Sequence, residues 1–364
     1  MVCLSWHLID IIRGSKLQNE AKKVNTATTQ LRGSLLATHW FISTKYRRSC
    51  GLTLFTFAFA LVVILLGAYT RLTDAGLSCP DWPNCFGFLT APHTPTQLQA
   101  ATTHFPAAEI NSTKAWTEMT HRYLAGIEGG FILLLALSIL FGRRALDHRT
   151  FLIGIGLVAL LAAQVTLGML TVTERLRPEI VLSHLLVGLT ILGILWWTYL
   201  SLDVYPMTMT ADTIPSIKPW LWLGLAIISL QIALGGWVST HSAGLACIDF
   251  PYCNGQLVPP LDWRHFANNL TTIHMLHRLG AVMTATYVGG LSITLLHYRP
   301  LRYLAIALLW LIIIQISLGI LNIIWLRPVW TALMHHAVGI LLLLTMLTIL
   351  VKATFAARKQ HDWV

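Results

Sequence analysis

Residues 116–130 read WTEMTHRYLAGIEGG, which puts Glu118, His121 and Arg122 at the start of a run that is otherwise apolar. An ionisable side chain inside a membrane-length helix costs on the order of 2.5 to 3.5 kcal/mol at mid-bilayer and less near an end, so by default it marks a site. Residues 271–285, TTIHMLHRLGAVMTA, repeat the pair as His277-Arg278, again just inside a long apolar run. His184 in VLSHLLVG and His335 in LMHHAVG open two further apolar runs.

The wider composition agrees with membrane burial. Hydrophobic residues make up 55% of the 364 and charged residues only 11%, and the mean hydropathy is +0.65, values typical of a membrane protein. The formal net charge is +10. Its basic residues sit in short segments between apolar runs, so the partner they suit is the lipid bilayer surface, not nucleic acid. Runs of about spanning length lie at 51–70, 117–141, 150–172, 179–201, 219–239, 271–296, 302–324 and 330–352. The predicted fold is therefore all-α and polytopic, with eight transmembrane helices. Basic residues crowd Lys45 to Arg48, the links with Arg143, Arg144, Arg149, Arg299 and Arg302, and the tail with Lys352, Arg358 and Lys359. That load predicts cytoplasmic termini and puts the long links 71–116 and 240–270 outside. Residues 1–48 have no apolar core followed by a small-residue cleavage site and read as a cytoplasmic extension.

The chain also repeats itself. GAYTRLTDAGLSCPDWPNCFG (67–87) and GGWVSTHSAGLACIDFPYCNG (235–255) match at an offset of 168, and His121-Arg122 matches His277-Arg278 at 156, so the second outer link is shorter by twelve. Gln164, Gly168, His184 and Gly188 match Gln315, Gly319, His335 and Gly339 at 151. This predicts two pseudo-symmetric four-helix bundles, 49–201 and 219–352, joined by a cytoplasmic linker at 202–218 and followed by a tail at 353–364. Four spans restore the starting side, so the halves are parallel and a pseudo-twofold axis runs along the membrane normal.

Each of spans 2, 4, 6 and 8 carries its histidine shortly after its outer start, which puts four imidazoles at one depth of about 8 Å. Two at equal height on neighbouring helices can ligate a flat cofactor from opposite faces, and haem suits both imidazole and a bundle interior. His121 with His184 and His277 with His335 are the expected metal ligands; the matching glycine four residues on favours His335 over His336. The competing reading of any one such histidine is a helix-to-helix hydrogen bond. Gly188 and Gly339 are expected to let a porphyrin edge near the backbone, and Arg122 and Arg278 to reach cofactor carboxylates. The halves differ at Glu118, which matches His274, and at Arg71, which matches Ser239. A carboxylate near an iron centre can move protons or stabilise a cation, so one half is expected to take substrate and the other to hold a permanent redox group. The simpler role for Glu118 is a salt bridge to Arg122 or Arg71.

Cys79 with Cys85 and Cys247 with Cys253 each close a short loop containing Pro and Asp. Outside the cytoplasm the first reading is a disulfide; a thiol redox relay and a four-thiolate zinc site are the alternatives. Cys3 and Cys50 are expected to stay reduced.

Taken together, GLSCPDWPNC, GLACIDFPYC, the Glu118, His121, Arg122 set and the histidines of spans 4, 6 and 8 resemble the bacterial haem A synthases, over spans 1 to 8 but not residues 1–48. The resemblance implies a bacterial inner-membrane, monooxygenase-type oxidoreductase that oxidises a ring methyl of haem O to a formyl group, giving haem A for cytochrome oxidase. It implies a resident haem b on His277 and His335, and the substrate haem on His121 and His184 with Glu118, Arg71 and Arg122 nearby. Implied partners are haem O synthase and an electron donor; a homo-oligomer is compatible with this. A different class, a bis-histidine membrane cytochrome b passing electrons from quinol, would use the same four ligands without needing Glu118. A parallel-repeat transporter is disfavoured because its polar residues would lie at the midplane.

Overall fold

The structure is a computed structural model that describes residues 27–142, 148–202 and 213–361. Among these it contains nine α-helices, one turn of 3-10 helix and no extended strand. In chain order the helices are α1 (Ala27–Leu72), α2 (Pro95–His104), α3 (Ser112–Leu140), α4 (His148–Thr173), α5 (Pro178–Leu202), α6 (Thr213–Thr240), α7 (Leu270–Leu295), α8 (Arg302–Ile324) and α9 (Val329–His361). All but α2 are long, and seven of those eight are long and apolar enough to cross a membrane. The exception is α7, which matches the others in length but carries His274, His277, Arg278 and several threonines. A helix keeps its backbone hydrogen bonds internal, which is what a chain in hydrocarbon requires. The protein is thus a multi-pass helical membrane protein.

Helix starts follow local chemistry. Asn111 caps α3 by accepting the Lys114 N–H at 3.1 Å, and Asn269 caps α7 by accepting the Thr272 N–H at 2.9 Å, each satisfying an otherwise orphaned donor. In the first long link, Thr94 and Gln97 form a reciprocal capping box that opens α2. Several ends differ from expectation. α1 begins at Ala27, inside the predicted extension, and α9 continues to His361, inside the predicted tail. α3 begins at Ser112 and not 117, because the Asn111 cap lies upstream of the apolar run.

Packing runs in two closed circuits. α1 packs on α3, α3 on α4, α4 on α5 and α5 back on α1; α6, α7, α8 and α9 form the same circuit. Between circuits, α5 packs on α6 and α9, and α1 packs on α9. One core lies around Leu192, Leu195 and Ile132, the other around Leu221, Leu308 and Met346. Where they adjoin, the Trp196 indole donates to the Thr348 hydroxyl at 2.9 Å. Lipid tails are as apolar as leucine, so close packing and such hydrogen bonds hold the helices together, not escape from water.

Both disulfide links gather at one end of the bundle, and two of the tight turns join them there. Leu176, in the α4–α5 turn, packs on Gly76, while Arg327, in the α8–α9 turn, packs on Gly244. Arg71 at the end of α1 donates to the backbone carbonyl of Ser239 at the end of α6, at 2.7 Å. One cysteine expectation is corrected. Cys50 is disulfide-bonded, not reduced, because bonding depends on which thiol is in reach as well as on the compartment; Cys3 lies outside the described residues.

Leu192, fully buried on α5, should cost on the order of 2 kcal/mol or more when cut to alanine. Leu134, half exposed on the outer face of α3, should cost little. Thermal unfolding of Leu192→Ala and Leu134→Ala in one detergent checks the ranking, and equal shifts would contradict the packing described.

Candidate functional site

Four imidazoles stand against four glycines on neighbouring helices. A Cβ built on Gly67 of α1 would lie 2.8 Å from Cε1 of His121 on α3, and one on Gly235 of α6 would lie 3.0 Å from Cε1 of His277 on α7. On the other helix pairs, Gly168 of α4 faces His184 of α5 and Gly319 of α8 faces His335 of α9, each at 3.2 Å by the same measure. The missing side chain lets the Cε1 edge of each ring come close to a helix backbone. Gly188 and Gly339, expected to admit a porphyrin edge, are instead covered by the side chains of Gln164 and Gln315. A long amide reaching across from the adjacent helix fills the gap those glycines leave.

In the second circuit the rings of His277 and His335 are 6.3 Å apart, centre to centre, at 79°. Their nitrogens are held from behind. Gln231 places its amide 3.0 Å from Nδ1 of His277, and the Gln315 carbonyl accepts from Nδ1 of His335 at 3.1 Å. The side-chain amide of Gln315 also stands 3.3 Å from Nε2 of His335, so both nitrogens of that ring have a partner; such outer contacts orient an imidazole. In the first circuit Nδ1 of His121 is buried with no hydrogen-bond partner, while His184 faces the backbone carbonyl of Gln164 as His335 faces that of Gln315. Val63 stands where the repeat puts Gln231. His336 also has a buried, unpartnered Nε2, but it is His335 that pairs with His277.

The arginines beside these histidines turn to the disulfide loops. Arg122 donates to the carbonyls of Asp81 (2.9 Å) and Asn84 (2.7 Å), and Arg278 to those of Tyr252 (2.8 Å), Asp249 (3.1 Å) and Cys247 (3.2 Å). Cys79–Cys85 and Cys247–Cys253 are disulfides, each with its Cα atoms 4.6 Å apart. Within each loop an aspartate holds the next turn: Asp81 accepts the N–H groups of Phe86 and Gly87, and Asp249 those of Asn254 and Gly255. Gly87 and Gly255 sit at φ of +79° and +80°, where a side chain would be strained. The loops are therefore built twice from one plan, each strapped to the helix that carries a site histidine.

Against that common plan the differences stand out. Glu118 is 4% exposed, forms a 2.6 Å ion pair with Arg122 and accepts the Cys79 N–H at 2.9 Å. Its counterpart His274 bonds in the opposite sense, donating from Nδ1 to the Ala243 carbonyl at 2.9 Å; the tautomer follows from the partner, since a carbonyl only accepts. Arg71 pairs with Asp74 at 3.3 Å, so the salt bridge of Glu118 goes to Arg122 and not to Arg71. Glu128, a further ionisable residue within this apolar span, lies seven residues after His121 on the same face of α3.

Among the described residues no three His, Cys, Asp or Glu side chains converge as a metal site. Paired imidazoles instead suit a metal that brings its own equatorial ligands, as haem iron does. Two nitrogens on one metal at about 2 Å each, plus about 1 Å from nitrogen to ring centre, need ring centres about 6 Å apart, and His277 and His335 meet that spacing. His121 and His184 lie within electrostatic reach of each other, on the helices of the first circuit that correspond to those of His277 and His335.

The comparisons with known proteins point the same way. The family described as cytochrome oxidase assembly protein (COX15-CtaA) matches residues 51–347. A relative from Shewanella oneidensis named "Heme A synthase" is 37% identical over 311 residues, covering 81% of this chain and 93% of the relative. Relatives of the same name from Beijerinckia indica and Methylobacterium nodulans are 30% and 28% identical, over 85% and 79% of this chain and 94% and 86% of theirs.

The Asp249 carboxyl is held below its ordinary range, first by the Gly255 N–H and then by that of Asn254. A depressed folded-state value stabilises above the unfolded value of about 4, and the contribution is lost as pH falls through the folded value. Hydrogen exchange at Asn254 and Gly255, corrected for intrinsic rates, should therefore rise on acidification below about pH 4. Asp249→Asn should show the faster exchange at neutral pH; unchanged protection in the variant would refute the strap.

Proposed function

Because the chain belongs to the cytochrome oxidase assembly family that includes the haem A synthases, we propose that it is a haem A synthase. As such it is a membrane oxidoreductase that oxidises a ring methyl of haem O to the formyl group of haem A in successive steps. The observation that carries the residue-level reading is the doubled arrangement: two imidazole pairs in two like helix circuits, each beneath its own disulfide loop.

We assign the second circuit to a resident haem b, whose iron His277 and His335 would hold. The paired Nδ1 contacts of Gln231 and Gln315 support this, since they prearrange the rings before any metal arrives. When bound, such a haem supplies one-electron transfer. The first circuit, 49–201, then takes haem O between His121 and His184; His121, with no partner where Gln231 supports His277, suits a site filled and emptied in turnover. The two circuits correspond to eight spans related by a pseudo-twofold axis, α7 being the least apolar; support comes from the matched interface, in which α5 on α6 is the counterpart of α9 on α1. Bacterial inner-membrane placement, with cysteine loops extracytoplasmic and both termini cytoplasmic, follows from the basic loads of the other links. Haem O synthase, as supplier of the substrate, and an electron donor are the partners this reading calls for.

Within the first circuit Glu118 is the residue we assign to the chemistry. Its carboxylate lies one turn before His121 and is kept by Arg122 and the Cys79 N–H in a water-poor corner, where a fixed charge acts strongly on charge developing nearby. There it accepts protons released from the methyl carbon or stabilises cationic character on it. Arg122, spent on loop carbonyls and on Glu118, serves to position this carboxylate, and Arg278 holds the corresponding loop above the resident haem. Arg71 ties the two halves through Ser239 and remains a candidate for the cofactor's carboxylates at the disulfide end.

Glu118→Gln keeps the loop contact with Cys79 and removes the charge. It should retain resident haem b and lose conversion of haem O by about a hundredfold or more, the usual scale for removing one acid–base group. Porphyrin analysis of the purified variant after expression with abundant haem O reads both, and normal haem A yield would remove Glu118 from the chemistry. His277→Ala should abolish the resident haem spectrum. An unaltered haem b signal would refute that ligand assignment.

A further inference from the structure

At the disulfide end, two guanidiniums from different circuits come together over the last turn of α1. Arg71 stands four residues on from Gly67 and on the same face of α1, so it lies one turn beyond the contact of that glycine with His121. It reaches across to α6, where its Nη2 donates to the Ser239 carbonyl at 2.7 Å. Arg327, in the α8–α9 turn, lies against the link that follows α6: a Cβ built on Gly244 would meet its Cδ at 3.3 Å and its Nη1 at 3.8 Å. The two cations are within electrostatic reach of each other.

Like charges held together cost energy unless a group of opposite sign stands near them. Asp74 pairs with Arg71 at 3.3 Å, but its side chain is 73% exposed, and an ion pair so open to solvent contributes little. The Arg327 guanidinium has no hydrogen-bond or ion-pair partner among the described residues. Nor does the repeat require any of these charges. The matching positions hold Ser239 for Arg71, Ser242 for Asp74 and Leu176 for Arg327, and Leu176 packs on Gly76 as Arg327 packs on Gly244. A leucine closes that turn equally well, so what Arg327 adds is charge.

We propose that Arg71 and Arg327 form one oxyanion-binding site, which takes a carboxylate or a phosphate at the seam of the two circuits. Guanidinium forks match both groups in shape and in charge. Two sources supply such a group at this place. One is a carboxylate of the haem assigned to His121 and His184, since Arg71 stands one turn from the His121 contact; that choice rests on the haem A synthase reading and makes the second circuit lend a residue to the substrate site of the first. The other is the phosphate of an anionic lipid, which needs no such reading.

The test is a titration of the purified protein, resident haem in place, with haem O and with its dimethyl ester, in which both carboxylates are blocked, followed by absorbance. Native mass spectrometry from nanodiscs of phosphatidylglycerol and phosphatidylcholine reads bound lipid. If the anion is a haem carboxylate, wild type should bind haem O about tenfold more tightly than the ester, the scale of one charge-assisted hydrogen bond. Arg327→Leu, which installs the residue of the other turn, should then bring haem O down to the level of the ester and leave the ester unchanged. If the anion is a lipid phosphate, acid and ester should bind alike, and wild type should retain phosphatidylglycerol that Arg327→Leu loses. Either result supports the site. An unchanged resident haem spectrum reports that the variant is folded, and Arg327→Gln takes its place if that spectrum changes. If Arg327→Leu alters neither preference, or weakens acid and ester together, the oxyanion site is overturned while the enzyme reading stands. If wild type binds neither form of haem O, the enzyme reading fails, and the lipid measurement alone decides the site.

Discussion

The contact between an imidazole and a bare helix backbone governs this molecule. Each of His121, His184, His277 and His335 lies against a glycine of the next helix in its circuit. Such a contact works only if two helices run close at that level, so the four glycines set the spacing of α1 to α3, α4 to α5, α6 to α7 and α8 to α9. They also set what can be held between them. A ring seated close to one helix leaves its other side toward the bundle interior, where in the second circuit His335 stands 6.3 Å from His277. A side chain on Gly67 would have to displace His121, and one on the other three glycines would push its ring by a few tenths of an ångström.

Above the rings, the loops translate the same requirement into polar bonds. A short disulfide loop left to itself would present a row of unpaired carbonyls over an apolar bundle end, and buried acceptors without donors are costly. A guanidinium, with five donors in a rigid fork, can meet several of them at once, which is why Arg122 and Arg278 follow their histidines directly in sequence. The loop is tied to the helix within one residue of the site, so loop and ligand move as one body.

Symmetry sets the frame and its breaches set the chemistry. Gln231 without a counterpart and Glu118 against His274 both fall near the rings, whereas the straps and glycines are matched. A duplicated frame can hold two similar ligands; only unmatched residues can treat them differently. In the second circuit Gln231 stands behind His277; in the first, Val63 takes that place and a buried carboxylate lies one turn before His121.

Much of this was legible in the chain itself. Apolar runs of spanning length determined a polytopic helical protein, and segments recurring at constant offsets marked its internal repeat, because hydrophobic length and repeat spacing are properties of the sequence alone. The four imidazoles, the two cysteine pairs and the mismatch of Glu118 with His274 were likewise readable there. Partner choice was not. That Gly67 and Gly235 face the rings while Gly188 and Gly339 lie under glutamines, and that Arg122 and Arg278 bind loop carbonyls, were decided by tertiary structure. The physical reason is that a helix turns by 100° per residue, so sequence says which residues share a face, but only the packed neighbour determines what that face meets.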